Sequence, residues 1–174
     1  MECIAKNEEV MIEVKETPSK GKGVYAAKAF KKGEVVLVKR IIEECEGNHE
    51  HAAQYGSDRF VVHDEVSQCV NHSCEPNCGV RVDDSGSRNL VAMRNIAEGE
   101  EINFDYAMEN YTIDHFPSQC MCGSPHCRGR ITGWKDLPKE KKEEYRPWAA
   151  PYLLELDALN EAQKNPKAKI STNH

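Results

Sequence analysis

The apolar positions along this chain fall into short runs separated by turn residues, the pattern of a molecule built mainly from strands. Val10-Met11-Ile12-Glu13-Val14-Lys15 is a strand-like run and predicts a strand. Thr17-Pro18-Ser19-Lys20-Gly21-Lys22-Gly23 breaks it, and Val24 to Ala27 resumes an extended pattern. After a second turn, Ala29 to Glu34, the run Val35-Val36-Leu37-Val38 with Ile41 and Ile42 predicts a buried strand of the core. Phe60 to Val62 is another short strand, and Asp64 to Gln68 suits one turn of helix. Val80 to Val82 and Leu90 to Met93 read as a hairpin around Asp83-Asp84-Ser85-Gly86. No long crossover helix separates these strands, which disfavours a parallel doubly wound sheet. Helical patterning begins late: Pro138 opens a segment of interleaved Lys and Glu through Glu144. Pro151 then suits the first turn of a second helix whose Tyr152, Leu156 and Leu159 share a face. Lys164 to His174 has no periodicity and is expected to be disordered.

Two stretches carry the wrong chemistry for a plain core. Asn71-His72-Ser73-Cys74-Glu75-Pro76-Asn77-Cys78 packs an amide, an imidazole, a hydroxyl and thiols together and then breaks at Pro76, so it reads as a loop that something binds. Asn103-Phe104-Asp105-Tyr106 follows the turn Ala97 to Glu101, and strand alternation puts Phe104 and Tyr106 on one face as an aromatic wall. Gly21 and Gly23, flanking one residue, would let backbone groups approach a ligand, although a lone Gly-x-Gly is more often a hairpin turn. Glu43, Glu44, Glu46 and Glu50 form an acidic run without Lys or Arg between them. Such a run is ordinarily a solvated face, with lining a groove for a basic peptide as the alternative; His49 and His51 within it read as surface residues.

Composition narrows the classes. At 174 residues one domain is expected, and 39% hydrophobic with 30% charged positions suits a globular chain with one real core. The formal net charge of -6 disfavours a nucleic-acid binder and leaves a basic protein substrate open. Neither an apolar run of membrane-spanning length nor a signal-peptide pattern at Met1 to Glu9 is present, so no membrane partner and an intracellular, reducing location are expected. In that compartment eight cysteines argue for metal or free thiols over disulfides. Cys120-Met121-Cys122-Gly123-Ser124-Pro125-His126-Cys127 is a metal knuckle. Zn(II) needs a fourth ligand from elsewhere, with Cys74, Cys78 and the local His126 as candidates.

Taken together these residues resemble the SET-domain protein lysine methyltransferases. Gly21-Lys22-Gly23-Val24-Tyr25, Asn71 to Asn77, Gly99-Glu100-Glu101-Ile102-Asn103-Phe104-Asp105-Tyr106, and the post-SET Cys-x-Cys-x4-Cys from Cys120 to Cys127 stand in the family's order. The resemblance covers roughly residues 10 to 130 and implies a mostly β fold of several small sheets with a knot-like C-terminal threading, a zinc-bound post-SET segment and C-terminal helices. It divides the chain into a SET domain over 8–112 with an acidic insert at about 43–58, a post-SET segment over 116–132, a helical extension over 135–163 and a tail over 164–174.

The same resemblance implies S-adenosylmethionine as methyl donor and a histone tail or another basic protein as substrate, with a nuclear, chromatin or cytoplasmic location and no direct nucleic-acid contact. Tyr106 falls at the catalytic tyrosine and Phe104 at the position that limits the number of methyl groups. Lys22, Gly23, Val24 and Tyr25 with Asn71 and His72 fall at the cofactor-binding positions. Cys74, Cys120, Cys122 and Cys127 fall at the ligands of one structural zinc, leaving Cys78 spare. Phenylalanine rather than tyrosine at 104 implies products beyond monomethyl-lysine. One departure is Gln68-Cys69-Val70 where the family often carries an Arg-Phe pair. The rival readings are an inactive SET fold that binds peptides and a zinc-stabilised nucleic-acid binder, and the acidic balance counts against the second.

Overall fold

A computed structural model describes residues 11–116 and 119–164. The expected tail beyond Lys164, and the N-terminal residues before Met11, lie outside the described residues. The strands are β1 (Ile12–Glu16), β2 (Lys22–Ala26), β3 (Val35–Val38), β4 (Ile41–Cys45), β5 (Ala52–Gln54), β6 (Phe60–His63), β7 (Asn71–His72), β8 (Cys78–Val82), β9 (Arg88–Ala92) and β10 (Glu101–Phe104). The helices are α1 (Glu65–Gln68), α2 (Lys139–Tyr145) and α3 (Pro151–Lys164). One sheet runs in the order β1-β2-β10-β8-β9-β3, with the short β7 paired to β10, and a second runs β4-β6-β5. The late strand β10 is its hub: antiparallel to β2, it runs parallel to both β7 and β8. That topology carries the Asn71 loop and the Phe104 strand side by side. No helix among the described residues is long and apolar enough to cross a membrane.

The run expected to be one buried core strand is instead two strands on two sheets. Val36 is buried, but Val35, Val38, Ile41 and Ile42 are 40%, 51%, 40% and 59% exposed. Both β3 and β4 are edge strands, so a run of β-branched residues there is covered on one side at most. The hairpin of β8 and β9 and the turn of helix capped by the Asp64 carboxylate form where the pattern places them.

The C-terminal extension belongs to the same core. Trp134, Tyr145 and Leu153 are fully buried in the cluster that holds Val24, Leu90 and Ile102. Gly79 of β8 permits this docking, because a Cβ there would stand 2.6 Å from Cβ of Trp148. In α3 the buried apolar residue is Leu153, while Leu159 is 58% exposed. The packed face continues through polar groups: Asp157 accepts from Trp134 Nε1 at 2.8 Å and Lys142 Nζ at 2.7 Å, and Asn160 donates to the Tyr111 hydroxyl at 2.6 Å.

A buried charge cluster joins the two sheets. Lys39 Nζ lies 2.5 Å from Glu109 Oε2, Arg88 stacks 3.6 Å over the Tyr55 ring, and the Tyr55 hydroxyl bonds His63 Nε2 at 2.9 Å. Burial, reinforced by the Lys39 charge, holds the His63 imidazole down at about 4 from an ordinary 6.5. The unfolded chain therefore binds this proton as pH falls through 6.5 and the folded chain does not until about 4. Across that window stability is lost as pH falls, by at most about 3 kcal/mol from this group. Thermal melts from pH 7 to 4 should show the decline, and His63→Gln, which still accepts from Tyr55, should flatten it; an unchanged slope would assign the decline to other groups.

Candidate active site and metal centre

The Asn71 loop is fixed to β10 by paired amides. Asn77 N donates to Asn103 Oδ1 at 3.1 Å and Asn103 N returns a bond to Asn77 Oδ1 at 3.0 Å, while Ser73 N donates to Phe104 O at 3.1 Å. Asn71 Nδ2 reaches across to Lys22 O at 3.0 Å and Glu101 Oε1 at 2.9 Å. Gly23 must be glycine for this approach, since a Cβ would meet Thr17 Cγ2 at 2.7 Å and Asn71 Nδ2 at 3.1 Å.

β10 ends at Phe104, and Tyr106 does not continue it: Asp105 caps a 3₁₀ turn over Tyr106–Met108 through the Ala107 N–H. The two rings still meet, at 5.1 Å between centroids, because the turn swings Tyr106 back over the strand. His72 packs on the same phenol at 5.3 Å and Phe116 at 5.4 Å. The Tyr106 hydroxyl donates to Val70 O at 2.8 Å, and burial pushes it well above its ordinary value, so it is a protonated phenol whose own oxygen remains an acceptor. Burial, opposed by Asp105, brings the His72 imidazole down to about 4, so it is neutral.

Two hollows share this wall. A cleft of about 270 Å³ is lined by Lys20, Asn71, His72, Tyr106, Phe116 and Met121 among others. A narrower channel of about 60 Å³ is lined by Phe104, Tyr106, Phe116, Lys39, Glu109 and Val70 among others, with Glu50, His51 and His115 also on its walls. Of the acidic run, Glu50 thus borders the channel, while Glu43 and Glu44 sit on the exposed β4. Asn71 and His72 line the cleft. Lys22, Gly23, Val24 and Tyr25 do not; Lys22 is tied to it through the carbonyl that accepts from Asn71, and Val24 is core. The sequence reading missed Phe116, which lines both hollows, as well as Lys39 and Glu109.

Cys74, Cys120, Cys122 and Cys127 bring their sulfurs within 4.8 Å of one another. Cys74 Sγ is 3.9 Å from Cys120 Sγ and 4.0 Å from Cys127 Sγ. Sulfurs on a tetrahedral zinc, with Zn–S of about 2.3 Å, stand about 3.8 Å apart, so this donor set fits the ion. Cys78 is elsewhere, a core thiol that burial pushes up to about 12. His126 turns from the cluster to Glu75, with Nδ1 at 2.7 Å from Oε1, and Ser124 Oγ also donates to that carboxylate. Asp105 locks the parts together: it accepts from Arg128 Nη1 at 2.6 Å and the Tyr145 hydroxyl at 3.2 Å, and His72 Nδ1 lies 3.6 Å away.

Parts of this chain are similar to known proteins. Histone-lysine N-methyltransferase ash1 of Drosophila melanogaster is 32% identical over 179 residues, covering 88% of this chain and 8% of that protein. The H3 lysine-4 specific histone-lysine N-methyltransferase of Saccharomyces cerevisiae is 36% identical over 67 residues, covering 37% of this chain and 6% of that protein. The chain therefore spans less than a tenth of either relative's length. The crystal structure of KRYPTONITE in complex with mCHG DNA and SAH shares the fold at a TM-score of 0.55 and 24% identity, over 69% of this chain and 28% of that one. The SET-domain family model matches residues 21–107, half of the 174, and the chain belongs to the SET-domain family.

Proposed function

We propose that this chain is an S-adenosylmethionine-dependent protein-lysine N-methyltransferase that acts on a histone tail or another basic protein and adds more than one methyl group. The observation that carries the reading is the shared wall: Tyr106 and Phe116 line both the wider cleft and the narrow channel, so two reactants, one in each hollow, would meet across one phenol. Asn71 and His72, which line the cleft, hold the cofactor, with Lys22 acting through the carbonyl that accepts from Asn71 while Gly23, Val24 and Tyr25 stand off the cleft lining, and Cys74, Cys120, Cys122 and Cys127 hold one zinc. In this reading the SET domain is assigned to 8–112, the post-SET segment to 116–132 and the helical extension to 135–163. Relatives named as histone methyltransferases support a basic protein substrate and a place on chromatin. One structural neighbour is bound to DNA, yet the net charge of -6 favours the protein over nucleic acid as the partner touched here.

S-Adenosylmethionine, when bound, supplies a methyl group on a sulfonium. The chain's residues must supply alignment and a neutral amine. Lysine, with an ordinary pKa of about 10.4, loses its proton near neutral pH at a cost of roughly 4 kcal/mol, and desolvation between Phe104, Tyr106 and Phe116 works in that direction. The Tyr106 oxygen, its proton engaged by Val70 O, accepts an amine N–H and fixes the nitrogen. Incubation with labelled cofactor and core histones or whole-cell lysate, followed by mass spectrometry of the labelled band, tests the reading; absence of label in every protein would leave the inactive peptide-binding fold.

Phe104 bears on the number of methyl groups. A phenylalanine leaves apolar space where a tyrosine hydroxyl and its bound water would stand. Phe104→Tyr should shift products toward monomethyl-lysine without abolishing the first transfer, as read by mass spectrometry at long reaction times. A parent that stops at one methyl, or an unchanged product distribution, would remove Phe104 from this role.

A further inference from the structure

The 3₁₀ turn that sets Tyr106 also aims a second polar group. Glu109 follows Tyr106 by three residues, and its N–H donates to Tyr106 O at 3.2 Å; in 3₁₀ geometry residues three apart stand on one side of the turn. Both side chains line the narrow channel. The Glu109 carboxylate is buried, with its side chain 2% exposed, and its two oxygens are used unequally. Oε2 is held by Lys39 Nζ at 2.5 Å. Among the described residues Oε1 has no hydrogen-bond partner; Arg88 Nη1 lies 3.6 Å from it and itself donates to the carbonyls of Gln54 and Glu109. Lys39 Nζ stands 4.9 Å from the centroid of the Phe104 ring, so the ion pair sits beside the apolar wall. A buried, ionised acceptor without a donor is costly in a finished fold unless a ligand completes it.

Resting on the lysine methyltransferase reading, we infer that Glu109 Oε1 is a second acceptor for the substrate amine, a positioning residue that sets the relative rates of successive methyl transfers. A neutral primary amine has two N–H groups and one lone pair. With one N–H on the Tyr106 oxygen and the other on Glu109 Oε1, rotation about the last carbon–nitrogen bond is fixed and the lone pair is left facing the cleft beyond Tyr106. Each transfer breaks a methyl–sulfur bond, forms a methyl–nitrogen bond and gives an ammonium that must lose a proton to solvent before the next. A monomethyl amine then has one N–H for two acceptors, and a dimethyl amine has none. Phe104 leaves room for further methyl groups, while Glu109 makes each later transfer slower than the one before. Burial opposes ionisation of Glu109, but Lys39, His63 and Arg88 outweigh it and hold the carboxyl down at about 2, so the acceptor stays an anion at assay pH.

The test uses peptides spanning the lysine that mass spectrometry finds modified in core histones, made unmethylated, monomethylated and dimethylated. Initial rates on the parent chain should fall in that order. Replacing the pair by apolar groups of similar size, Lys39→Met with Glu109→Leu, should slow the first transfer about ten- to hundredfold and compress the ratio between first and third transfers by a similar factor. A role confined to packing would slow all three equally and leave the ratio intact, which overturns the inference. Parent rates that are equal or rise with methylation overturn it without any variant. A parent that labels no protein in the initial incubation overturns the methyltransferase reading itself, whereas a parent that labels the peptides with an unaltered ratio in the variant overturns Glu109 alone.

Discussion

Tyr106→Phe should lower turnover by two orders of magnitude or more while leaving the fold and cofactor affinity nearly intact. The ring contributes most of the packing, against Phe104 at 5.1 Å, His72 at 5.3 Å and Phe116 at 5.4 Å, and phenylalanine keeps all of it. Only the hydroxyl is lost. Its removal strips the Val70 carbonyl of a 2.8 Å donor in a buried place, a penalty of about 1–3 kcal/mol that should appear as a drop of a few degrees in Tm. The loss in rate is expected to be larger because, in the proposed mechanism, the phenol oxygen aligns the amine at the moment of transfer, and removing one such preorganised group typically costs about a hundred- to a thousandfold. Single-turnover methylation and calorimetric cofactor binding separate the two effects. Turnover equal to the parent's would take Tyr106 out of the mechanism.

Much of this arrangement is legible in the sequence, for a physical reason. Residues chosen for chemistry keep their signal wherever the fold puts them: thiols at metal-knuckle spacing, an amide and an imidazole before a proline, glycines where a Cβ would collide. The Asn71 loop, Phe104 with Tyr106, and the Cys120 knuckle could therefore be picked out before any contact was known. Residues whose roles arise from packing leave no such trace. Val35, Val38, Ile41 and Ile42 look like core because periodicity reports a strand and not how many of its faces are covered, and both strands lie at sheet edges. On α3, Tyr152 of the apolar face packs on the core but Leu159 is exposed, and Asp157 and Asn160 anchor the helix with hydrogen bonds, to which a count of apolar positions is blind. Alternation puts Tyr106 beside Phe104 by the wrong route, since the strand ends at Phe104 and the Asp105 cap starts a 3₁₀ turn at Tyr106. Lys39 and Glu109 lie 70 positions apart and become a pair only when β3's end and the 3₁₀ turn meet. Phe116 was one aromatic in an irregular stretch, and only the two hollows it borders mark it out.

Metal removal should have the other large effect, acting through the cleft and not the channel. The chain should carry about one zinc, counted by elemental analysis, because four sulfurs within 4.8 Å match the tetrahedral donor set and no exposed cleft need open to admit further ligands. Cys74 follows His72 on the loop, and Cys120, Met121 and Cys122 line the cleft, so the cluster joins opposite sides of the proposed cofactor site. Without the ion the ties among the described residues include the Arg128 and Tyr145 contacts to Asp105, the Tyr145 hydroxyl to Cys74 O at 3.3 Å, the Arg128 N–H to Cys74 Sγ at 3.4 Å and the Glu75 bonds to Ser124 and His126. These are modest beside a structural zinc, worth about 10–16 kcal/mol in small zinc-dependent folds. A strong chelator, or Cys127→Ser, should therefore weaken cofactor binding at least a hundredfold and lower Tm by roughly 10 °C or more, the expected scale for several kcal/mol in a domain of this size. Cys78→Ala is the control: it opens a small hole beneath β8 and costs some stability, but the zinc stoichiometry should stay at one. Zinc lost with Cys78→Ala and kept with Cys127→Ser would reassign the fourth ligand, and a metal-free chain with full cofactor affinity would show that the post-SET segment holds its place by the Asp105 and Glu75 contacts alone.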